Sequence, residues 1–341
     1  MTIIKAILLG SLIAVMTPAR ASSDAGQLAF MAKDYSQATS LFEKQLEQNE
    51  NNVVAYLYLA KIAVKKEDLD LAEEHILEAG ELIEDNSEKA LDKNIQGEVF
   101  HWLGSIMEMQ AEKSSIFSMS RYAKQSLKGY LKSVELLPEK LQYREGLINF
   151  YLGAPSLLGG DIDKAIKHAK ITFDQNPNFG FKMLVNSYEK NGDTQLVLAT
   201  YKLAIEKYPL DAELLLMRGT YWKTEHNYDK AVADYQRALT FSATDSDQKS
   251  AQLMSLYWIG RISGFEGKNL KRGIDAYQQV IDFSEHQGNA YTPNIESTKF
   301  RMAKLMVLNG QKEGAEAIFV SLLNSTQRAE FKKEISSFLA E

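Results

Sequence analysis

The stretch NFGFKMLVNSYEKNGDTQLVLATYKLAIEKYPLD (178–211), followed directly by AELLLMRGTYWKTEHNYDKAVADYQRALTF (212–241), decides how the chain is read. Val197, Tyr201 and Ala204 of the first line return 34 residues later as Ala231, Tyr235 and Ala238. Leu184, Tyr188 and Gly192 precede the first trio, and Gly219 and Trp222 precede the second. A fixed period of this length marks a repeat architecture in which each copy is one supersecondary unit. The apolar residues fall at helical spacing on both sides of a turn, so the unit is a helical hairpin. A small residue at the eighth position lets the first helix approach the second, and a small residue at the twentieth receives it.

The same frame recurs on both sides of this pair. Gly26, Ala38 and Phe42 hold it in a first unit, with Asp34–Ala38 as the turn. A second unit has Tyr56, Leu59, Ala60 and Ala63, then Ala72, Ile76 and Ala79. The polar connector Glu84–Asp92 interrupts, and a third unit resumes at Trp102, Leu103 and Gly104 and closes on Tyr130, Ser133 and Pro138. The interval between its helices is too long for the frame. Met109–Met119 is expected to extend the first helix and lengthen the turn; the functional alternative is a protrusion that touches a partner. The fourth unit has Tyr143, Gly146, Phe150 and Tyr151, then Ala165 and Ala169. Between them Gly153–Asp161 reads as a structural loop, with Pro155 stopping a helix, paired glycines allowing positive φ, and Asp161 capping the next helix. Its Leu157 and Leu158 are expected to pack on a neighbouring unit. After the polar spacer Ser242–Asp247, unit seven carries Tyr257, Trp258, Gly260, Gly273 and Tyr277. Gln287–Asn289 separates it from unit eight, with Phe300, Ala303, Gly310, Ala315 and Phe319. The final segment, Gln327–Ala340, has one apolar face (Phe331, Ile335, Phe338, Leu339) and one charged face, as a helix covering the open end of a stack requires.

These positions resemble the tetratricopeptide repeat: small at eight, aromatic at eleven, small at twenty, aromatic at twenty-four, alanine at twenty-seven and proline near thirty-two. The resemblance implies an all-α solenoid of about eight hairpins wound as a right-handed superhelix and closed by a C-terminal capping helix. It divides the chain into units one to three over 22–138, four to six over 139–243, seven and eight over 244–326, and the cap over 327–341. It also implies a concave groove lined by first-helix residues that takes a protein, peptide or helix partner. The groove residues are then Lys61, His101, Tyr143, Lys182, Asn186, Thr220, Tyr257, Arg261, Phe300 and Lys304. Cations alternating with aromatics suit an acidic partner, the cation making charge-assisted bonds and the ring supplying apolar area. Lys182 and Asn186 match the first half of the carboxylate clamp of some family members. Met217, Met254 and Trp258 stand where its remaining Asn, Lys and Arg are wanted, so the clamp is incomplete.

The start of the chain reads as an export signal. Lys5 precedes the apolar run Ala6–Met16, Pro18 breaks it, and Ala19-Arg20-Ala21 is a small-x-small cleavage site, giving a signal peptide over 1–21. Cleavage removes Lys5 and Arg20 and no acid, moving the net charge from −6 to −8. With no cysteine the product has neither disulfides nor an acylation site, so it is expected free, unlipidated, in a bacterial periplasm. No later segment is apolar enough to span a membrane. The acidic balance argues against nucleic acid, since phosphate neutralisation needs clustered Lys and Arg.

Catalytic and metal signatures are absent from the sequence. His75, His101, His168, His226 and His286 lie on different units without ligand spacing, and no nucleophile elbow or phosphate loop occurs. Asp161, Asp163, Asp245 and Asp247 lie in turns as caps. The expectation is a non-enzymatic scaffold or adaptor with no cofactor and no metal. The alternative is a solute- or ligand-handling accessory, similar to the repeat subunits that accompany periplasmic TRAP-type transporters.

Overall fold

Ten of the helices start on an Asp or Asn whose side chain accepts a backbone N–H of the first turn, as Asp34 does from Gln37 at 3.0 Å and Asn176 from Phe179 at 3.1 Å. The computed structural model, which describes residues 18–85, 91–287 and 293–340, holds seventeen α-helices and no strand among the described residues. The chain divides into two compact units, 1–194 and 195–341. The first holds α1 (Pro18–Met31), α2 (Tyr35–Gln48), α3 (Val53–Lys65), α4 (Leu69–Glu84), α5 (Lys93–Lys113), α6 (Ile116–Leu136), α7 (Leu141–Gly153), α8 (Ile162–Gln175) and α9 (Pro177–Asn191). The second holds α10 (Thr194–Lys207), α11 (Ala212–Thr224), α12 (Tyr228–Ala238), α13 (Ser246–Glu266), α14 (Leu270–Gln287), α15 (Ile295–Leu308), α16 (Lys312–Ser325) and α17 (Ala329–Ala340). The division falls between α9 and α10, inside the cleanest pair of repeats.

Within each unit every hairpin packs first helix on second, and successive first helices lie side by side: α1, α3, α5, α7 and α9 in one unit, α11, α13 and α15 in the other. The repeat frame explains the close approach. A Cβ added at Gly104, Gly219 or Gly260 would sit 2.4–2.6 Å from the ring of Tyr130, Tyr235 or Tyr277. The eighth-position gap is therefore filled by the aromatic at twenty-four of the same hairpin, not by the small residue at twenty, and Tyr235 and Tyr277 are fully buried as a result. The turn is equally periodic. Seven residues beyond Gly26, Ala60, Gly219 and Ala303 stand Lys33, Glu67, His226 and Gly310, all with positive φ (62°, 63°, 56° and 79°), which lets the chain reverse in two or three residues.

Two local expectations are corrected. The excess residues of the third unit lengthen both helices: α5 and α6 have 21 residues each, and only Ser114 and Ser115 separate them. The tip of this hairpin leaves Phe117 92% exposed. In the loop after α7, a single 3-10 turn over Ser156–Leu158 closes against α6, and a Cβ at Gly160 would fall 1.7 Å from the Ala154 carbonyl oxygen. Leu158 is half-buried there, but Leu157 is 98% exposed and packs on no neighbour. Asp161 caps α8 as expected, accepting from the Lys164 N–H at 3.0 Å. α1 is described from Pro18 onward and runs through Ala21. The signal run up to Met16, most of the 84–92 connector and Gly288–Asn289 lie outside the described residues.

Candidate functional site

The expected groove residues fall into separate groups. In the first unit Lys61, on α3, is buried at 5% exposure and paired with Glu98 of α5 at 2.5 Å. Its Nζ also lies 4.3 Å from the Tyr58 ring centroid. His101 stacks on Tyr143 of α7 with centroids 4.8 Å apart. Burial pushes the His101 pKa down, with Glu98 opposing, and burial together with Glu98 pushes Tyr143 up to about 12. The Nδ1 atom of His101 is buried without a partner. Lys61, His101 and Tyr143 therefore do come together, but as a packed network whose cation is already neutralised in cis. Lys182 and Asn186 are both exposed on α9.

In the second unit cations of α11 and α13 lie over aromatic rings. Lys223, on α11, holds its Nζ 3.7 Å above the Trp258 ring of α13, and Lys230 sits 4.2 Å over Trp222. Arg261, one turn along α13, lies 4.8 Å over Phe265 and 5.6 Å over Trp258, and donates to the Tyr257 hydroxyl at 3.3 Å. Among the described residues neither Lys223 nor Arg261 has a carboxylate within 4.0 Å. Burial lowers the Lys223 pKa, and the Arg261 charge lowers it further, as two cations sharing one aromatic wall must.

The last two expected residues are covered. Phe300 is 4% exposed and stacked at 4.5 Å on Phe331 of α17, and Lys304 is ion-paired with Glu334 of the same helix. Phe300 is thus core, and its edge contributes only to the wall of a cavity. That cavity, about 440 Å³, lies among α13, α14, α15 and α17. Its charged lining is Arg261, Arg301, Lys304, Glu330 and Glu334, and Phe265, Leu305 and Leu308 are among its apolar walls.

Lys223, Glu98 and Arg301 are the functional or neutralising groups that sequence reasoning passed over. A signal for Glu98 existed in the frame, since it stands six residues before Gly104, in the unit after Lys61. Elsewhere the polar groups are structural. Arg218 forms a two-pronged pair with Asp234 at 2.5 and 2.8 Å, joining α11 to α12. Arg144 is buried, donates to the Pro138 carbonyl at 2.9 Å and approaches His168 Nδ1 at 3.2 Å. Burial and that guanidinium depress the His168 pKa to about 4. Among the described residues no group of three metal-ligating side chains converges, and no helix is long and apolar enough to cross a membrane.

The Tetratricopeptide repeat family model matches residues 29–90, which span α2, α3 and α4. A comparison with curated proteins finds no match. Among solved structures, a tetratricopeptide repeat protein from Parabacteroides merdae is similar at 13% identity and a TM-score of 0.49, over 85% of this chain and 98% of that one. PilF of Pseudomonas aeruginosa is similar at 16% identity and 0.46, over 69% and 96%. YrrB, described as a TPR protein with an unusual peptide-binding site, is similar at 17% identity and 0.42, over 55% and 85%.

Proposed function

We propose that this tetratricopeptide-repeat protein is a non-catalytic scaffold that docks an acidic segment of a protein partner on the first-helix face of its second unit, in the periplasm. The observation that carries the reading is the contrast between the two units. In the first, the groove cation Lys61 is buried and neutralised by Glu98. In the second, Lys223 and Arg261 are held over Trp258 and Phe265 with no carboxylate partner. A cation fixed over a ring is half-desolvated and pre-oriented, so an incoming carboxylate gains charge-assisted bonds at reduced ordering cost. Charge-reversal at Lys304 is a poor probe of this face, because it would set a second carboxylate against Glu334.

The test is a cross-linking pull-down with the full chain and with the double variant Lys223→Glu, Arg261→Glu. The wild type is expected to recover a specific partner and the double variant at least tenfold less of it, with thermal unfolding unchanged. Equal recovery by the two proteins, or no specific partner at all, overturns the reading. A second reading, a solute-handling accessory of the kind that accompanies TRAP-type transporters, draws support from the cavity beside Arg261, which is of ligand size.

A further inference from the structure

The repeat frame carries a rule for its first-helix charges, and one place breaks it. In three units the residue after the small eighth position is a cation: Lys61 after Ala60, Arg261 after Gly260 and Lys304 after Ala303. Lys61 is paired with Glu98, which stands six residues before the eighth-position Gly104 of the next first helix. Lys304 is paired with Glu334 of α17. Arg261 should by the same register meet the residue six before Ala303. That residue is Ser297, which has no charge.

What lines the space beside Arg261 is a second cation. Arg301 and Arg261 both face the cavity, and both act electrostatically on the buried Tyr277 hydroxyl. Arg301 spends one N–H on the Ser297 carbonyl at 3.3 Å, and Arg261 spends one on Tyr257. Each guanidinium has five N–H donors, so most remain available, and neither has an ion pair within 4.0 Å among the described residues. Of the two carboxylates at the cavity, Glu334 is committed to Lys304 and Glu330 is exposed to solvent. Two half-buried like charges across one apolar-walled space are unfavourable until an anion separates them. At about 440 Å³, the cavity falls within the range of small-ligand pockets.

We infer that this cavity binds a small organic acid, its carboxylate held between Arg261 and Arg301 and its apolar body against Phe265, Leu305 and Leu308. The ligand supplies from outside the carboxylate that Glu98 and Glu334 supply in cis at the other two positions. This goes beyond the partner reading and gives the solute-handling reading a ligand class. The same chemistry arriving on a partner's side chain is separated from it by the choice of probe.

The experiment is calorimetric titration of the full chain with 3-phenylpropionate in a carboxylate-free buffer, with 3-phenylpropionamide as the uncharged counterpart. Saturable binding of the acid is expected, with the amide at least tenfold weaker. Arg301→Gln should weaken the acid at least tenfold, and Lys312→Gln, exposed on α16 and outside the cavity lining, should leave it unchanged. No saturable heat, equal affinity for acid and amide, or undiminished binding by Arg301→Gln overturns the inference. A chain that binds the acid but recovers no partner keeps this site and loses the scaffold reading; the converse result keeps the scaffold and loses the site.

Discussion

Removing Glu98 tests whether the cation of the first unit is held by its partner or merely sits near it. Lys61 is 5% exposed and its Nζ lies 2.5 Å from Glu98, whose side chain keeps 35% of its surface in water. Glu98→Gln leaves a buried ammonium facing an amide, Tyr58 and Trp102. Stranding one charge of a buried pair costs about 3–5 kcal/mol, and the partial exposure of Glu98 places the expectation at the low end, about 3 kcal/mol. Glu334→Gln is the internal control. It breaks a pair in the same frame position whose side chains are 41% and 43% exposed, where water screens both charges and a loss of at most about 1 kcal/mol follows. Restoring neutrality with Lys61→Met in the Glu98→Gln background should recover stability to within about 1 kcal/mol of wild type. Because the chain divides into two compact units, the assay needs a probe local to the first. Trp102 lies 5.8 Å from Lys61, so urea unfolding followed by its fluorescence, in a background with Trp222 and Trp258 changed to Phe, reports on the first unit. If Glu98→Gln costs no more than Glu334→Gln, burial does not set the worth of these pairs, and the contrast between the two units fails with it.

Two further outcomes follow from the packing. His168 has a folded pKa of about 4 against an ordinary 6.5, so the unfolded chain binds its proton more readily. Its contribution to stability is complete above pH 6.5 and is lost as the pH falls towards 4; denaturation midpoints of the first unit measured across that window should fall, and His168→Gln should flatten the slope. In the second unit a Cβ at Gly219 would lie 2.4 Å from the Tyr235 ring, so Gly219→Ala is expected to cost about 1–3 kcal/mol despite its better helix propensity, read as a drop in the urea midpoint.

Much of the fold was legible because it is periodic. Each hairpin repeats the same small and aromatic positions, and a missed copy would have been exposed by its neighbours. What was not legible lies where several local solutions satisfy the same sequence. The surplus at Met109–Met119 could enter a turn or a helix, and helix wins because residues on both sides continue the apolar faces of α5 and α6 while Ser114 and Ser115 suffice to reverse the chain. Leu157 was read as buried because it is apolar, yet the 3-10 turn needs only Leu158 and Gly159 against α6, so its side chain points to water. Phe300 and Lys304 were read as open because the frame puts them on first helices, but the frame does not tell that α17 brings Phe331 and Glu334 onto them.

The groove positions of such a stack cannot be read one helix at a time. A first-helix cation is a binding group only if the next first helix leaves it unpaired, and that depends on a residue some 30–37 positions away, as the spacings of Lys304–Glu334 and Lys61–Glu98 show. Lys61, Arg261 and Lys304 are equivalent in sequence and were assigned one role. Their neighbours make them different: Glu98 and Glu334 turn two of them into staples between helices, while Arg261 has no carboxylate within 4.0 Å among the described residues. Whether a first-helix cation is neutralised within the chain is therefore decided by the residue that the neighbouring helix brings to it, not by its own place in the repeat.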